Sequence, residues 1–524
     1  MNRFYSNTIL LVLLMLQFSI KAQEQKAQNP ILFADVPDVS MIRVDDSYYM
    51  SSTTMHLSPG VPIMKSKDLV NWELVNYAYD RFGEVDAINL QNGESAYGRG
   101  SWASCLRYHN NKFYVFTFAA TTGKTYAYST KDIENGPWEV TSFEPSYHDL
   151  TVHFDDDGKV YMLWGAGKLM IAELENDLSG VKKGTVRILI ENASAPAGDN
   201  IMLGAEGSQL FKIEGKYYLF NITWPRGGMR TVLIHRAGNI NGPWEGRLAL
   251  QDKGVAQGGL IDTPDGKWFS YLFRDYGAVG RIPYLVPVKW EDGWPILGEN
   301  GKVPEKLNLP PSNGLIPNIV ASDEFKRSKK DPELPLVWQW NHNPVDSLWS
   351  LKERKGHLRL TTGSVDSRFV QAKNTLTQRT IGPVSTGTTA LDISQMKEGD
   401  FAGLCLLQRN YGLVGVKFEN GKKRIVMVNT KDDQPLEQES IPLTQKEIYL
   451  KSSCDFTDKR DEAHFYYSLD GKKWNSIGTT LKMSYTLPHF MGYRFGLFNY
   501  ATQQSGGYVD FDYFRIKNEL TEIQ

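Results

Sequence analysis

Cysteine is scarce in this chain. There are three in 524 residues, Cys105, Cys405 and Cys454, and no two form a C-x-x-C pair. That excludes a paired-cysteine metal or redox motif. Cys405 lies in an apolar stretch and reads as a buried thiol, and nothing in the sequence supports a Cys405–Cys454 bridge. A long basic run is also missing and the net charge is only -2. There is no electrostatic case for nucleic acid or an anionic membrane as partner. Beyond the first residues no apolar run reaches about 18 residues, so no membrane span is expected there.

What is present is glycine (46), tryptophan (13) and an aromatic content of 12%, a composition that suits a turn-rich all-β protein with ring surfaces able to stack on sugars. The first residues read as a secretory signal. Arg3 precedes an apolar run over residues 9–16, and Ser19-Ile20-Lys21-Ala22 offers a cleavage site before Gln23. Residues 1–22 are therefore expected to be a signal peptide. No cysteine follows it to anchor a lipid, and the mature protein is expected to be periplasmic or secreted, with no membrane contact.

Five segments repeat one pattern: an apolar strand, a polar turn, then a strand carrying aromatics. They begin at Met41, Leu106, Val152, Leu210 and Leu260. Their spacing of roughly 45 to 65 residues is that of a four-stranded propeller blade. A second marker keeps phase with the first. Ser66-Lys67-Asp68-Leu69-Val70-Asn71-Trp72 is echoed by Ser129 to Trp138 and by Asn239 to Trp244. These are expected to return the chain to the next blade. Residues 29–297 are thus expected to form a five-bladed β-propeller. Residues 298–317 read as an ordered linker, carrying Val303, Leu307, Leu309 and Leu315. Residues 318–524 have no helical periodicity and are expected to form a two-sheet sandwich.

Three acidic residues precede inner strands of this repeat: Asp38, Asp149 and Glu206. Inner strands of a propeller line its axis, so the three carboxylates are expected to meet at one mouth. Two carboxylates at a suitable separation are the equipment for cleaving a glycosidic bond. One protonates the leaving oxygen and the other activates water or attacks the anomeric carbon. A third can raise and orient the acid.

The segments that carry these acids resemble glycoside hydrolase family 43. They are Pro37-Asp38-Val39-Ser40, Ser58-Pro59-Gly60-Val61-Pro62-Ile63-Met64-Lys65-Ser66-Lys67-Asp68-Leu69-Val70-Asn71-Trp72, His148-Asp149 and Ala205-Glu206-Gly207. The second half is similar to the concanavalin-like sandwich of the family's β-xylosidase/α-L-arabinofuranosidase branch, in Asn374-Thr375-Leu376-Thr377-Gln378-Arg379 and Asp510-Phe511-Asp512-Tyr513-Phe514. The resemblance implies an inverting mechanism with Asp38 as base, Glu206 as acid and Asp149 tuning the acid. It places Arg281 and Trp102 in the substrate pocket, with Trp224 as a second candidate ring. It also marks departures: Val39 for a proline and, among the expected substrate-binding residues, Gln257 for an axial histidine and Met55 where an aromatic is usual. Gln257 removes a reason to expect an axial calcium. No cofactor is required. In the sandwich, Asp323 and Asp512 are two carboxylates that a structural calcium could use, too few to call for one.

The expected function is exo-acting release of terminal α-L-arabinofuranose from hemicellulose side chains or oligosaccharides, such as those of xyloglucan or arabinoxylan. A β-D-xylosidase is the alternative within the class. A secreted, non-catalytic carbohydrate-binding propeller is the alternative outside it. An Asn-Asp-Pro-Asn motif, expected of five-bladed fructosidases, is absent.

Overall fold

A computed structural model describes residues 26–521 apart from Pro332. The expected signal peptide lies outside the described residues. Among these, no helix is long and apolar enough to cross a membrane. The architecture is all-β: a five-bladed propeller followed by a two-sheet sandwich.

Each blade is an antiparallel sheet of four strands in chain order. The innermost strands are Ser40–Val44, Cys105–His109, Thr151–Phe154, Ile201–Ile213 and Ala256–Asp262. They touch in the ring order 1-2-3-4-5-1, which closes the propeller around its axis. The inner hairpins turn where the sequence has Asp-Asp, Asn-Asn or Glu-Gly. Asn110 and Asn111 (φ 49° and 57°) and Glu214 and Gly215 (φ 49° and 75°) both take the left-handed pair of a type I′ turn. The Trp-terminated marker plays a different part from the expected one. Residues 66–72 join the third strand of blade 1, Gly60–Ser66, to its fourth, Glu73–Tyr79. The other two copies do the same in blades 2 and 4. Asp68 explains the motif: its carboxylate accepts from the amides of Val70 and Asn71 and forms a tight turn within the blade.

The N-terminal segment ties blade 5 to blade 1. The Asn29 side chain exchanges hydrogen bonds with Leu285, and the Val36 amide donates to the Arg281 carbonyl at 2.9 Å. The 298–317 segment packs rather than dangles. Val303 and Leu307 are buried, and Leu307 pairs through its backbone with Ala27.

The sandwich consists of two eight-stranded sheets. Their facing residues, among them Leu404, Val414, Leu450, Phe495 and Phe511, form one core with apolar residues of blades 4 and 5. Trp338 and Trp340 are buried in this core, and Trp349 packs against it. One edge of the first sheet is not a sandwich strand at all. Leu57–Ser58, from blade 1, pairs with Gln339–Asn341 and extends the sheet. His56 and Ser58 flank the seam and bond Asn341 and Asn343 at 3.0 and 2.7 Å. The two halves thus share backbone hydrogen bonds.

Cys405 and Cys454 are both buried free thiols, on strands of opposite sheets, so no bridge joins them. The two candidate calcium carboxylates also go to different partners. Asp323 accepts from both terminal nitrogens of Arg327 and from the Trp338 indole. Asp512 lies 3.8 Å from His357.

Candidate active site

Counting back three residues from the buried apolar anchor of each inner strand (Met41, Leu106, Val152, Leu210, Leu260) gives Asp38, Ala103, Asp149, Gly207 and Gln257. These five residues surround an axial cavity of about 10 Å³, room for one water. Four of them have left-handed backbone: Asp38 (φ 51°), Asp149 (φ 49°), Gly207 (φ 64°) and Gln257 (φ 53°). Asp tolerates this conformation better than most side chains because its short polar group can bond locally.

Glu206 is therefore not at the repeat position. It precedes it by one residue, inside the long strand Ile201–Ile213, where pairing with the neighbouring strand slips on both sides of it. The bulges re-aim its side chain toward His148 and Asp149. Gly207 fills the place a carboxylate would have taken. A Cβ there would lie 2.7 Å from the Gln257 side chain, so the position needs glycine for space as well as for φ.

Asp38 is buried, 5% exposed, and both its oxygens are bonded. Oδ1 accepts from Nη1 of Arg281 at 2.7 Å, and Oδ2 from the Thr53 hydroxyl at 2.6 Å. Arg281 is itself 3% exposed, a buried residue and not a loose loop arginine. Its Nε and Nη2 have no partner among the described residues. The guanidinium lies 4.8 Å from the ring centre of Phe490 and 5.4 Å from that of Phe273.

Asp149 is equally buried in different company. Its Oδ2 accepts from the Gly207 amide at 3.0 Å and lies 3.7 Å from His148 Nε2. Burial pushes its carboxyl up to about 7, opposed by His148 and reinforced by Glu206 and Asp38. His148 Nε2 is 3.1 Å from Glu206 Oε2. That hydrogen bond raises the imidazole to about 9 against the opposing effect of burial, with help from Asp149, Glu206 and Asp38. The Glu206 side chain is 18% exposed against 7% for Asp149, so it is the more open acid of the group. His148, Asp149 and Glu206 hold ligand atoms within 4.8 Å of one another and are the group that could take a cation. The cluster coincides with two of the three carboxylates, and its atoms already bond each other.

The remaining candidates divide. Trp102 lies at the mouth, tilted against Phe490 with ring centres 4.6 Å apart. Gln257 stands on the axis beneath the carboxylates. Met55 is 1% exposed and lines a small internal void with Phe490 and Met491. Trp224 donates to the Gly228 carbonyl and takes the Arg230 guanidinium 5.4 Å from its ring centre. No contact among the described residues brings it to the carboxylates.

Sequence reasoning missed three contributors. His148 was in plain view beside Asp149. Phe490 arrives from the sandwich, more than 200 residues beyond Arg281, with no local motif. Asp35 is buried between both halves: its carboxylate accepts from the amides of Arg281 at 2.8 Å and Gly492 at 2.9 Å. It thereby fixes the Arg281 strand and the Phe490 loop to one point. The chain approaches it closely at Gly280, where a Cβ would lie 2.2 Å from the Asp35 carboxylate.

Comparison with known proteins agrees with this arrangement. The family model described as glycosyl hydrolases family 43 matches residues 27–295, and that of the beta xylosidase C-terminal concanavalin A-like domain matches residues 322–517. A beta-xylosidase of Formosa agariphila is 31% identical over 93% of this chain and 89% of its own. A non-reducing end alpha-L-arabinofuranosidase of Bacteroides ovatus is 26% identical over 86% of this chain and 87% of its own. A solved bifunctional GH43-CE structure from Bacteroides eggerthii superposes with a TM-score of 0.94 at 66% identity over 95% of this chain. This chain spans 64% of that protein's length. With both halves matched and the acidic motifs at one mouth, the chain belongs to glycosyl hydrolase family 43.

Proposed function

We propose that the protein is an exo-acting, inverting glycoside hydrolase that removes a terminal pentose from plant hemicellulose or its oligosaccharides. The observation that carries this reading is the convergence of Asp38, Asp149 and Glu206 at a mouth walled by Phe490. Asp38, held by Arg281 and Thr53, is the base that takes a proton from the attacking water. Glu206 is the acid that protonates the leaving oxygen. His148 and Asp149, both raised, keep protons beside Glu206 at neutral pH and set its orientation. Arg281 fixes the Asp38 carboxylate through Nη1. Trp102 and Phe490 supply ring surface for the apolar face of a single sugar. A sandwich loop across the mouth favours a chain end over an open polysaccharide groove. The expected signal peptide supports action outside the cytoplasm.

The sugar is α-L-arabinofuranose on the sequence reading. The name of the Formosa agariphila relative favours β-D-xylose, and that of the Bacteroides ovatus relative favours arabinofuranose. Assay against nitrophenyl arabinofuranoside, xylopyranoside and galactoside separates these readings; release from neither pentoside would remove the proposal. Proton NMR in the first minutes of turnover should show the inverted anomer. A retained anomer would reassign Asp38 from base to nucleophile.

A further inference from the structure

A trough of about 900 Å³ lies on the outer face of the second sandwich sheet, sharing no lining residue with the carboxylate site. That volume is within the range of ligand sites. It forms because side chains alternate across strands: Leu450 and Ser452 point into the core, and Lys451 between them points out. One row across the sheet reads Arg515, Thr388, Lys451, Tyr466, Ser476. The short Thr388 between long neighbours forms the floor.

Five cations line the trough, Lys451, Lys472, Lys473, Arg515 and Lys517, and they are not equivalent. Lys472 and Lys473 are exposed. Arg515 stacks on Tyr513 at 3.9 Å and is bonded twice by Glu324, at 2.7 and 2.9 Å. Lys517 is paired with Glu519 at 2.9 Å. Lys451 has no carboxylate within ion-pair reach among the described residues. Its ammonium instead sits 3.9 Å from the centre of the Trp474 ring and 6.0 Å from that of Tyr466. Burial and the nearby Lys517 both work against its charge, with only Glu519 in favour. This is a half-buried cation seated between aromatic rings, with hydroxyls of Thr388 and Ser476 in the same row.

We propose that this trough binds a glycan chain bearing a carboxylate side group, that is, a uronic acid substituent on a neutral backbone. The rings and hydroxyls suit sugar faces and edges, and Lys451 suits a single carboxylate. A polyanion is a poorer fit, because Glu519 in the lining and Glu324 outside it pair two of the five cations, and Lys472 and Lys473 are exposed and not seated between rings. The assignment does not depend on which pentose the propeller releases.

The test is titration calorimetry on the full chain carrying Asp38→Asn, which should slow turnover by at least about 10²–10⁴-fold. The probes are a xylo-oligosaccharide with one glucuronic acid branch and the same compound with its carboxyl reduced to the alcohol. The acid should bind about tenfold more tightly than the alcohol, the scale of one charge-assisted hydrogen bond. Lys451→Met should abolish the difference and Lys451→Arg should keep most of it. Trp474→Ala should weaken both probes. With Asp38 intact, Lys451→Met and Trp474→Ala should hydrolyse a nitrophenyl pentoside at the parental rate, which shows that both fold. Equal binding of acid and alcohol, or a preference that survives Lys451→Met, would overturn the proposal. So would inorganic polyphosphate binding as tightly as the acidic glycan.

Discussion

Asp38 and Asp149 hang from the same position of two blades, with the same left-handed backbone and nearly the same burial, 5% and 6% exposed. Their surroundings differ completely. Asp38 faces a guanidinium and a hydroxyl; Asp149 faces an amide, an imidazole and a second carboxylate. The repeat delivers a carboxyl to a place. The neighbours decide what it does there: Arg281 from blade 5 and Thr53 from its own blade for Asp38, and Gly207 and Glu206 from blade 4 with the adjacent His148 for Asp149.

The sharpest way to break this comparison is to neutralise the proposed base and acid. Asp38→Asn and Glu206→Gln should each lower turnover of an unactivated pentoside by at least about 10²–10⁴-fold. On a nitrophenyl glycoside, whose leaving group needs little protonation, Glu206→Gln should recover more than Asp38→Asn. Equal recovery in steady-state assays would mean that the two roles are misassigned.

Next in size is Arg281→Met. It leaves the Asp38 carboxylate buried with the Thr53 hydroxyl as its remaining side-chain partner among the described residues, and should cost about 3–5 kcal/mol in denaturant unfolding, besides activity. A loss below about 1 kcal/mol would show that solvent reaches Asp38 and that the pair is not sealed.

Asp149→Asn should do the opposite to stability. A carboxyl raised from 3.8 to about 7 binds more protons folded than unfolded. Its contribution to stability is therefore present at low pH and lost as pH rises from about 4 to about 7. The asparagine variant escapes that loss, so its stability relative to the parent should improve by on the order of 4 kcal/mol between pH 4 and pH 8. Activity should fall, though less than in Asp38→Asn. Melting curves across that range that stay parallel would refute the burial argument.

The smallest effect is expected for His148→Gln. The imidazole is raised from 6.5 to about 9, so its contribution is complete below about 6.5 and lost as pH climbs through 9. The variant should show a flatter decline in melting temperature over that window. Because the His148 side chain is 47% exposed, solvent screening keeps the difference small. An unchanged slope would place the His148–Glu206 contact outside the folded ensemble in solution.

These contrasts also mark what the sequence could tell. The blade count was legible because an inner hairpin must alternate apolar residues and end in a turn, and both signals recur five times. Asp38 and Asp149 were legible because they hold one position of that repeat. Glu206 was found by its motif, but its displacement was not, since a bulge changes the register without changing residue type. Phe490 and Asp35 could not be read at all: their roles come from contacts between segments hundreds of residues apart. The same holds for the two-residue strand Leu57–Ser58, too short to announce itself, whose pairing partner lies in the other half.

That short strand also divides the pocket between two stretches of chain. All three carboxylates lie within the propeller, but the edge formed by Leu57–Ser58 is completed by Gln339–Asn341, and Trp102 and Arg281 pack against Phe490. The propeller holds the acids, and the sandwich supplies a wall of their mouth. A change in the sandwich more than 200 residues from Arg281 in sequence is therefore a change in the shape of the pocket.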